Sequence, residues 1–314
     1  MKAVVYDKTN PGEKLSFREV EKPIPGEGEV LVKVVNASIN AADYRSLAGG
    51  IIPKKRIFGA DVAGVVEAVG GNVRKLKVGD EVFGDLSGVG FGGFAEYVTA
   101  PENVLAIKPG SVSFEQAAAV PMASLTALQA LRDRGDIQPG KKVLIYGAGG
   151  GVGTFAVQLA KYFGAEVTAV CSANNTELSR SLGADHVSDY SKEDVAKNGQ
   201  RFDLVLGVNG NHPLTVYKQM LASKGIFVLV GGGLSQVIKT MLFGPFLSLG
   251  SRKMRFLAAK PSTKDLEFVI KLVAAGKLKP IIDRCYPLQQ TAEAMGYIRQ
   301  GHARGKVLIA VGHA

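Results

Sequence analysis

Tryptophan is absent from this sequence of 314 residues, and cysteine occurs only twice. Cys171 and Cys285 lie far apart and match neither a zinc-finger spacing nor a disulfide framework, so we expect two reduced structural thiols. Long apolar runs are also missing, because every strongly apolar stretch falls well short of the roughly 20 residues that a membrane-spanning helix needs. These absences argue against a disulfide-rich domain, a zinc-finger protein and a membrane-spanning protein.

Acidic side chains are in the minority, since 38 Lys and Arg residues stand against 28 Asp and Glu residues, a formal net charge of +10. Such an excess suits a nucleic acid, an anionic membrane surface or an anionic cofactor. The densest basic groups, at residues 53–56 and 252–255, are not interleaved with stacking aromatic residues, so we expect no nucleic-acid partner. The opening MKAVVYDKTN alternates like a strand and shows no targeting pattern, which predicts a cytoplasmic protein.

The length of the chain predicts two domains. In residues 1–109, short strands such as VLVKVVNASI and GVVEAVG alternate with Gly- and Pro-containing turns, which is typical of a compact β-barrel-like domain. Further on, helical patterns alternate with the strands KKVLIYG, EVTAV, FDLVLGV and IFVLVG, which predicts a doubly wound parallel sheet. The last strand, KVLIAVG, is too small to form a third domain. We place the β domain at 1–115, completed by 262–314, and the α/β domain at 116–261.

A cluster of glycines follows the strand KVLIYG directly and precedes a helical pattern. The cluster consists of Ala148, Gly149, Gly150, Gly151, Val152 and Gly153. Its spacing is A-x-G-x-x-G, a dinucleotide fingerprint in which alanine replaces the first glycine. The N–H groups at the start of the helix would hold the pyrophosphate. A tight turn without a ligand is the alternative, but the strand before the cluster and the helix after it favour dinucleotide binding.

The next strand ends in Val-Cys-Ser-Ala-Asn-Asn, residues 170–175, and lacks the acid that binds the ribose hydroxyls in NAD-preferring sites. A carboxylate there would repel a 2′-phosphate, whereas Ser172 and Asn174 can donate hydrogen bonds to one. We therefore predict a preference for NADPH, with NADH also accepted. Arg180 and Tyr190 are further candidate contacts of the phosphate. As an alternative, Ser172 and Asn174 cap the helix that follows.

Seven motifs in order resemble the zinc-independent branch of the medium-chain dehydrogenase/reductase superfamily, which includes ζ-crystallin-like quinone oxidoreductases and NADPH-dependent enone reductases. They are PGEGEVLVKV, FGADVAGVVEAVG, VGDEVFG, GGFAEYV, AAAVPMASLTALQAL, PGKKVLIYGAGGGVGTFAVQLAK and LGADHV. The resemblance runs over essentially the whole chain. It implies an α/β protein in which a Rossmann dinucleotide-binding domain accompanies a GroES-like β-barrel catalytic domain.

The resemblance also implies which residues border the substrate. Asn40, Asp43 and Tyr44 would lie along the substrate cleft, with Tyr44 donating a hydrogen bond to a substrate oxygen. As alternatives, Tyr44 is a structural tyrosine at the rim of the barrel, and Asp43 caps a short helix.

On the cofactor side, the resemblance brings Thr126 towards the nicotinamide. It also gives the carboxamide access to the backbone at Gly231 and Gly232. Asn175 stands where members often carry a lysine for the 2′-phosphate, so Arg180 or Arg304 would have to compensate.

The zinc ligands of the metal-dependent relatives are not present. Their first ligand cysteine falls at Asn40, and their Gly-His-Glu becomes Gly-Ala-Asp at residues 59–61. Four cysteines for a structural zinc are missing as well, and we interpret the scattered histidines as ordinary surface or loop residues. These histidines are His186, His212, His302 and His313. We therefore expect no zinc, because neither position offers a thiolate or an imidazole.

A zinc-free enzyme lacks the electrophile that acidifies an alcohol, so acceptors already activated by conjugation fit better. The sequence thus predicts hydride transfer from NADPH to a small hydrophobic quinone or α,β-unsaturated carbonyl. The alternatives are an enoyl-thioester reductase and a catalytically silent NADPH-binding protein of crystallin-like or redox-sensing type.

One segment, 234–247, is unusually apolar. It is interpreted as a packed helix in the cleft wall, a lid, an oligomer contact, or a peripheral membrane contact supported by Lys239, Arg252 and Lys253. The strand MRFLAA that follows is expected at the edge of the sheet, which predicts a homodimer formed by edge pairing.

Overall fold

The computed structural model describes residues 1–8, 14–209, 212–231 and 234–312. The chain forms two compact units. Unit 1 comprises Met1–Leu125 and Lys260–Ala314, and unit 2 comprises Thr126–Ala259. The boundaries inferred from the sequence, after residues 115 and 261, stay a prediction.

The strands follow the chain in this order: β1 (Lys2–Tyr6), β2 (Leu15–Glu19), β3 (Glu29–Ser38), β4 (Asp61–Val69), β5 (Glu81–Asp85), β6 (Tyr97–Pro101), β7 (Leu105–Ile107), β8 (Lys142–Tyr146), β9 (Glu166–Cys171), β10 (His186–Asp189), β11 (Phe202–Gly207), β12 (Leu221–Leu229), β13 (Lys253–Phe256), β14 (Ile282–Pro287) and β15 (Lys306–Ala310).

The helices are α1 (Ala41–Ala48), α2 (Phe114–Ala119), α3 (Pro121–Gln129), α4 (Gly151–Tyr162), α5 (Thr176–Ser181), α6 (Leu214–Met220), α7 (Leu234–Leu247), α8 (Thr263–Ala274) and α9 (Thr291–Arg299). Serine caps explain where two of them begin. Ser113 Oγ accepts a hydrogen bond from the N–H at the third position of α2 (3.2 Å), and Ser262 Oγ does the same for α8 (3.2 Å). Over the described ranges, no helix combines the length and the apolar character needed to cross a membrane.

Unit 1 contains a sheet in the order β14-β15-β3-β4-β5-β7, with β6 also paired to β3. Its neighbouring strands are antiparallel except for β14 and β15, which are parallel. Ser38 at the end of β3 pairs with Asp61 at the start of β4 and with Leu308 on β15. Two antiparallel strands, β1 and β2, form a separate small sheet. The pairing around Ser38 brings three distant parts of the sequence to one place.

Unit 2 contains a parallel sheet in the order β10-β9-β8-β11-β12-β13. This order is the Rossmann order 3-2-1-4-5-6, so the predicted fold class is confirmed. Val143, Leu144 and Ile145 on β8 are completely buried, as expected for a parallel strand with both faces of the sheet covered. The strand order reverses between β8 and β11, and ligands of this fold bind beside the carboxyl ends of the strands at that point.

Strand β13 ends the sheet of unit 2, but its outer edge is not free at Met254. The N–H of Met254 donates to Ser248 Oγ (2.8 Å), and the Ser248 hydroxyl lies 3.3 Å from the Met254 carbonyl oxygen. Pairing with a second copy along this edge would have to replace these contacts. The homodimer stays a prediction. Pairing of two β13 edges would first require the bonds between Ser248 and Met254 to break.

Candidate functional site

The turn from β8 into α4 is tied to the neighbouring strand. The backbone N–H groups of Gly147 and Ala148 both donate to the carbonyl oxygen of Val170 on β9 (3.0 and 3.1 Å). Gly147 has a φ of +87°, a conformation that side chains other than glycine rarely adopt. The sequence therefore bends at Gly147, and the glycine cluster lies at the carboxyl ends of β8 and β9.

The glycine cluster leaves open space at the start of α4. A Cβ added to Gly150 would have Gly147 O, 3.9 Å away, as its nearest neighbour. Gly150 is the N-cap of α4 and supplies no side chain to bond the first N–H groups of the helix, which lack partners within the helix. This free, positively polarised helix start fits a pyrophosphate.

Two further glycines of the cluster, Gly149 and Gly153, are needed for packing inside the protein. A Cβ on Gly153 would overlap Gly147 O and come within 2.7 Å of the Cα of Ala148, so glycine lets α4 pack closely against the loop. A Cβ on Gly149 would come within 2.5 Å of Asn175 Nδ2. Gly151 and Val152 lie on the first turn of α4 and are half-buried.

The end of β9 carries neutral hydrogen-bonding groups. Ser172 Oγ accepts from Asn175 Nδ2 (3.1 Å), while Asn175 Oδ1 is buried without a hydrogen-bond partner among the described residues. Asn174 is exposed. Ser172 lies at the N-cap position of the short helical turn 173–175 and Asn175 at that of α5, and neither side chain makes a cap bond, so the capping alternative finds no side-chain bond to support it.

Two further predicted phosphate contacts belong to the same part of unit 2. The N–H of Tyr190, just after β10, donates to Cys171 O (3.1 Å), and the Tyr190 side chain is 62% exposed. Arg180 lies exposed on α5, and its guanidinium makes no hydrogen bond or ion pair within the described chain. Asp189 on β10 is paired with Cys171 at the end of β9. Its carboxylate accepts hydrogen bonds from the N–H and the hydroxyl of Ser191, and these bonds hold the pKa of the Asp189 carboxyl below its usual range.

The remaining cofactor-side residues are more scattered. Gly231, after β12, donates its N–H to Gly207 O at the end of β11 (3.2 Å), and a Cβ on it would come within 2.5 Å of Val208 O. Gly232 lies outside the described residues. Thr126 is half-buried on α3 in unit 2, whereas Arg304 is exposed before β15 in unit 1.

In unit 1, a buried polar cluster surrounds the start of α1. Lys306 Nζ donates to Asn40 Oδ1 (2.6 Å) and to Asp61 Oδ2 (3.2 Å), and Asn40 Nδ2 also donates to Asp61 Oδ2 (2.8 Å). Asp43 accepts the N–H of Asn40 (2.7 Å) and that of Gly59 (3.0 Å). Both ends of the Asn40 amide and both oxygens of Asp43 are therefore bonded within the protein.

Burial dominates the electrostatics of this cluster. It raises the pKa of Asp43 to about 7, although two N–H groups bond that carboxyl. It also raises the pKa of Asp85, the neighbour of Asp61 on β5, to about 6. The charge of Asp61 adds to both increases, and the Lys306 ammonium opposes them. The cluster thus depends on the ammonium of Lys306 to balance its carboxylates.

Tyr44 differs from the other two residues predicted along the substrate cleft. It is half-buried beside the apolar core of unit 1, and its hydroxyl makes no hydrogen bond within the described ranges. Arg45 lies near the ring, with its guanidinium carbon 6.0 Å from the ring centroid. Of the three residues, Tyr44 alone keeps a polar group for a ligand.

The residues at the position of the relatives' zinc do not fit that metal. Asn40 and Asp61 offer an amide and a carboxylate, and the Lys306 ammonium already bonds both. A divalent cation placed there would be repelled by the ammonium and would find no thiolate or imidazole. Within the described parts of the chain, no group of three or more His, Cys, Asp or Glu side chains is arranged to hold a metal ion.

Comparison with known proteins places these features in context. Residues 26–110 match the model of the alcohol dehydrogenase GroES-like domain, and residues 182–309 match that of a zinc-binding dehydrogenase domain. The chloroplast envelope quinone oxidoreductase homolog of Arabidopsis thaliana is 35% identical, over 98% of both chains. The NADPH-dependent alkenal/one oxidoreductase of the same plant is 33% identical, over 98% of this chain and 79% of the relative. The quinone oxidoreductase structure from Coxiella burnetii superposes with a TM-score of 0.89 at 29% identity, over 99% of both chains.

Proposed function

The chain belongs to the medium-chain dehydrogenase/reductase superfamily, in its quinone oxidoreductase branch, and from this membership we propose that it uses NADPH to reduce quinones and α,β-unsaturated carbonyls without zinc. The observation that carries the proposal is the open helix start behind Gly150, which suits the pyrophosphate of a dinucleotide. The names of the relatives support quinones and alkenals or enones as the substrate class.

Unit 2 would hold the cofactor beside the carboxyl ends of strands β8, β9 and β10. The first turn of α4 would bind the pyrophosphate. Ser172, Asn174, Arg180 and Tyr190 would face the ribose end, where hydroxyl, amide and guanidinium groups can donate to a 2′-phosphate. Bound NADPH supplies a hydride, and the protein supplies orientation and hydrogen bonds.

In unit 1, Tyr44 would donate a hydrogen bond to the substrate oxygen that gains negative charge during reduction. Asn40 and Asp43 would act on Tyr44 indirectly. Their bonds to Lys306, Asp61 and the backbone fix the start of α1, the helix that carries Tyr44. We therefore assign Tyr44 the catalytic role and Asn40 and Asp43 a positioning role.

The activity test mixes the purified protein with NADPH and each of four partners, and follows the absorbance of the reduced nicotinamide. The partners are a simple quinone, an enone, an enoyl thioester and, with oxidised cofactor, a saturated alcohol. We expect turnover of the quinone or the enone, undiminished by a chelator. Tyr44→Phe should lower kcat/KM about tenfold, the effect of losing one hydrogen bond of about 1 kcal/mol or slightly more. Tyr6→Phe, which alters another tyrosine beside the same core, should leave it unchanged.

Three results of this test would count against the proposal. Saturable NADPH binding without turnover of any acceptor would favour a silent binding protein. Turnover confined to the thioester would favour the enoyl-thioester alternative. The names of the relatives given above do not mention that activity. Chelator-sensitive oxidation of the alcohol would contradict the zinc-free mechanism.

Replacing Ser172 by aspartate should shift cofactor preference. The new carboxylate would repel a 2′-phosphate and accept hydrogen bonds from ribose hydroxyls, so we expect NADPH to bind about tenfold more weakly and NADH more tightly. Asn198→Asp is the control with the same change of charge. Asn198 is exposed and precedes β11, so it lies at the amino ends of the strands, away from the proposed cofactor site. The Kd values of both cofactors measure the effect. Equal changes in the two variants would show that Ser172 does not face the ribose.

The cytoplasmic location and the homodimer remain predictions. Gel filtration with light scattering measures the second directly, and neither is needed for the chemistry proposed above.

A further inference from the structure

Helix α7 of unit 2 exposes most of its large apolar side chains. The face towards β13 holds the buried residues Thr240 and Gly244, and Val237 and Leu247 are half-buried against the core of unit 2. The opposite face is apolar and exposed. Its exposed side chains are Ile238 (47%), Met241 (59%), Leu242 (60%), Phe243 (55%) and Phe246 (70%), and Leu249 just beyond the helix is 75% exposed. This apolar surface, residues 238–249, is called the α7 face below.

Two contacts attach helix α7 to strand β13. Ser248, directly after the helix, bonds both backbone groups of Met254 on β13. A Cβ on Gly244 would come within 3.2 Å of Met254 O, so the helix approaches the strand closely at its glycine. A larger side chain at Gly244 would push the helix away from the strand. The remaining large apolar side chains of the helix lie on the outer side, where water contact is unfavourable.

The surroundings of the α7 face are positively charged. No aspartate or glutamate occurs between Asp203 and Asp265, whereas lysines and arginines continue throughout this stretch. Lys239 is exposed on the helix itself. Lys253 is also exposed, and its Nζ donates to Ser248 O (3.2 Å) and Gly250 O (3.3 Å), directly beyond the end of the helix. An apolar helix face in a stretch of chain that carries basic residues and no acidic ones matches a helix that lies in the surface of an anionic bilayer.

A second copy of this chain fits the α7 face less well. In a symmetric dimer each α7 face would meet its own equivalent, which brings Lys239 and Lys253 towards their own copies, and the stretch between Asp203 and Asp265 contributes no acidic residue to neutralise them. The outer edge of β13 beside it is already bonded to Ser248 at Met254. Anionic lipid provides both the apolar environment and the opposite charge.

We propose that the α7 face docks this protein onto an anionic lipid surface, with Phe243 and Phe246 entering the apolar boundary and Lys239 and Lys253 meeting the head groups. This inference goes beyond the proposed reaction and does not depend on it, since docking requires neither cofactor nor turnover. Any gain for catalysis would come from bringing the enzyme to substrates that dissolve in the bilayer.

The test is co-sedimentation of the full chain with vesicles of phosphatidylcholine alone and of phosphatidylcholine mixed with phosphatidylglycerol. We expect binding to the mixed vesicles that weakens as salt is added, because the charge attraction is screened. Phe243→Ser combined with Phe246→Ser should weaken this binding at least about tenfold, and Lys239→Glu should weaken it at low salt. Ile51→Ser is the matched control, since Ile51 in unit 1 is 70% exposed like Phe246.

Circular dichroism and light scattering of the same variants complete the design. An unchanged far-ultraviolet spectrum shows that the double variant is folded. Absence of binding to the mixed vesicles at low salt would overturn the proposal, as would equal binding by the double variant and Ile51→Ser. A dimer of the parent protein that the double variant dissociates would also overturn it, because a second copy would then cover the α7 face.

Discussion

Lys306→Met is expected to lower the free energy of unfolding by about 3–5 kcal/mol, the usual cost of removing one partner from a buried ion pair. The side chains of Lys306 and Asp61 are 3% and 0% exposed. Without the ammonium, the buried carboxyl of Asp61 loses its counter-charge, and Asn40 Oδ1 loses its donor at 2.6 Å. Urea unfolding of the purified variant, followed by circular dichroism, measures the loss.

Lys2→Met is the matched control for this prediction. Lys2 also pairs with an acid in unit 1, Glu19, at 3.7 Å, but the two side chains are 48% and 75% exposed. Exposed pairs of this kind contribute about 0–1 kcal/mol, so the control should unfold almost like the parent protein. Adding Asp61→Asn to Lys306→Met should restore part of the lost stability, because a neutral amide needs no counter-charge. Equal stability of Lys306→Met and Lys2→Met would refute the importance of the buried ammonium.

Gly150→Val is expected to weaken NADPH binding about 100-fold or more while the protein stays folded. The valine side chain would occupy the open space at the start of α4 and keep a pyrophosphate from the N–H groups there. Hydrogen bonds to a charged group contribute about 1.5–3 kcal/mol each, so the loss of two exceeds the 2.8 kcal/mol or so that corresponds to 100-fold. Fluorescence titration with NADPH measures the Kd.

Two comparisons make this prediction specific. Gly110→Val, in unit 1, also places its Cβ in open space and should leave both stability and NADPH binding unchanged. Gly149→Val, by contrast, would collide with the side chain of Asn175 and should lower stability as well as binding. Normal NADPH affinity of a folded Gly150→Val variant would mean that the pyrophosphate does not bind at the start of α4.

The parallel sheet and the glycine loop could be predicted because their signals are local. An apolar run, the residues from Ala148 to Gly153 and a helical pattern follow one another without interruption, and the order of strands along the chain leads to the Rossmann order. The absence of an acid after β9 can likewise be read from a few consecutive residues. The role of the individual glycines is not, since the contact of Gly149 with Asn175 joins two turns that lie on different strand ends.

The buried cluster in unit 1 shows why the rest was missed. The sequence pointed to Asp61 only as part of a segment that lacks a zinc ligand, and it gave no role to Lys306. The two residues are 245 positions apart, and a lysine at the start of the apolar stretch KVLIAV looks like any exposed strand end. Sheet pairing brings them together, because β15 and β4 both lie beside β3 at Ser38. A residue pattern within one segment cannot predict a contact between residues so far apart in the sequence.

Helix α7 marks the same boundary between sequence and structure. The sequence by itself determined the two-part organisation, the glycine loop after β8, the absence of an acid after β9 and the apolar character of segment 234–247, because each depends on residues that are neighbours in the chain. Only the tertiary structure decided that Thr240 and Gly244 face β13 while Phe243 and Phe246 face outward, and that Lys306 stands beside Asp61. Those outcomes depend on which distant backbone approaches a given side chain, and packing settles that only when the whole chain has folded.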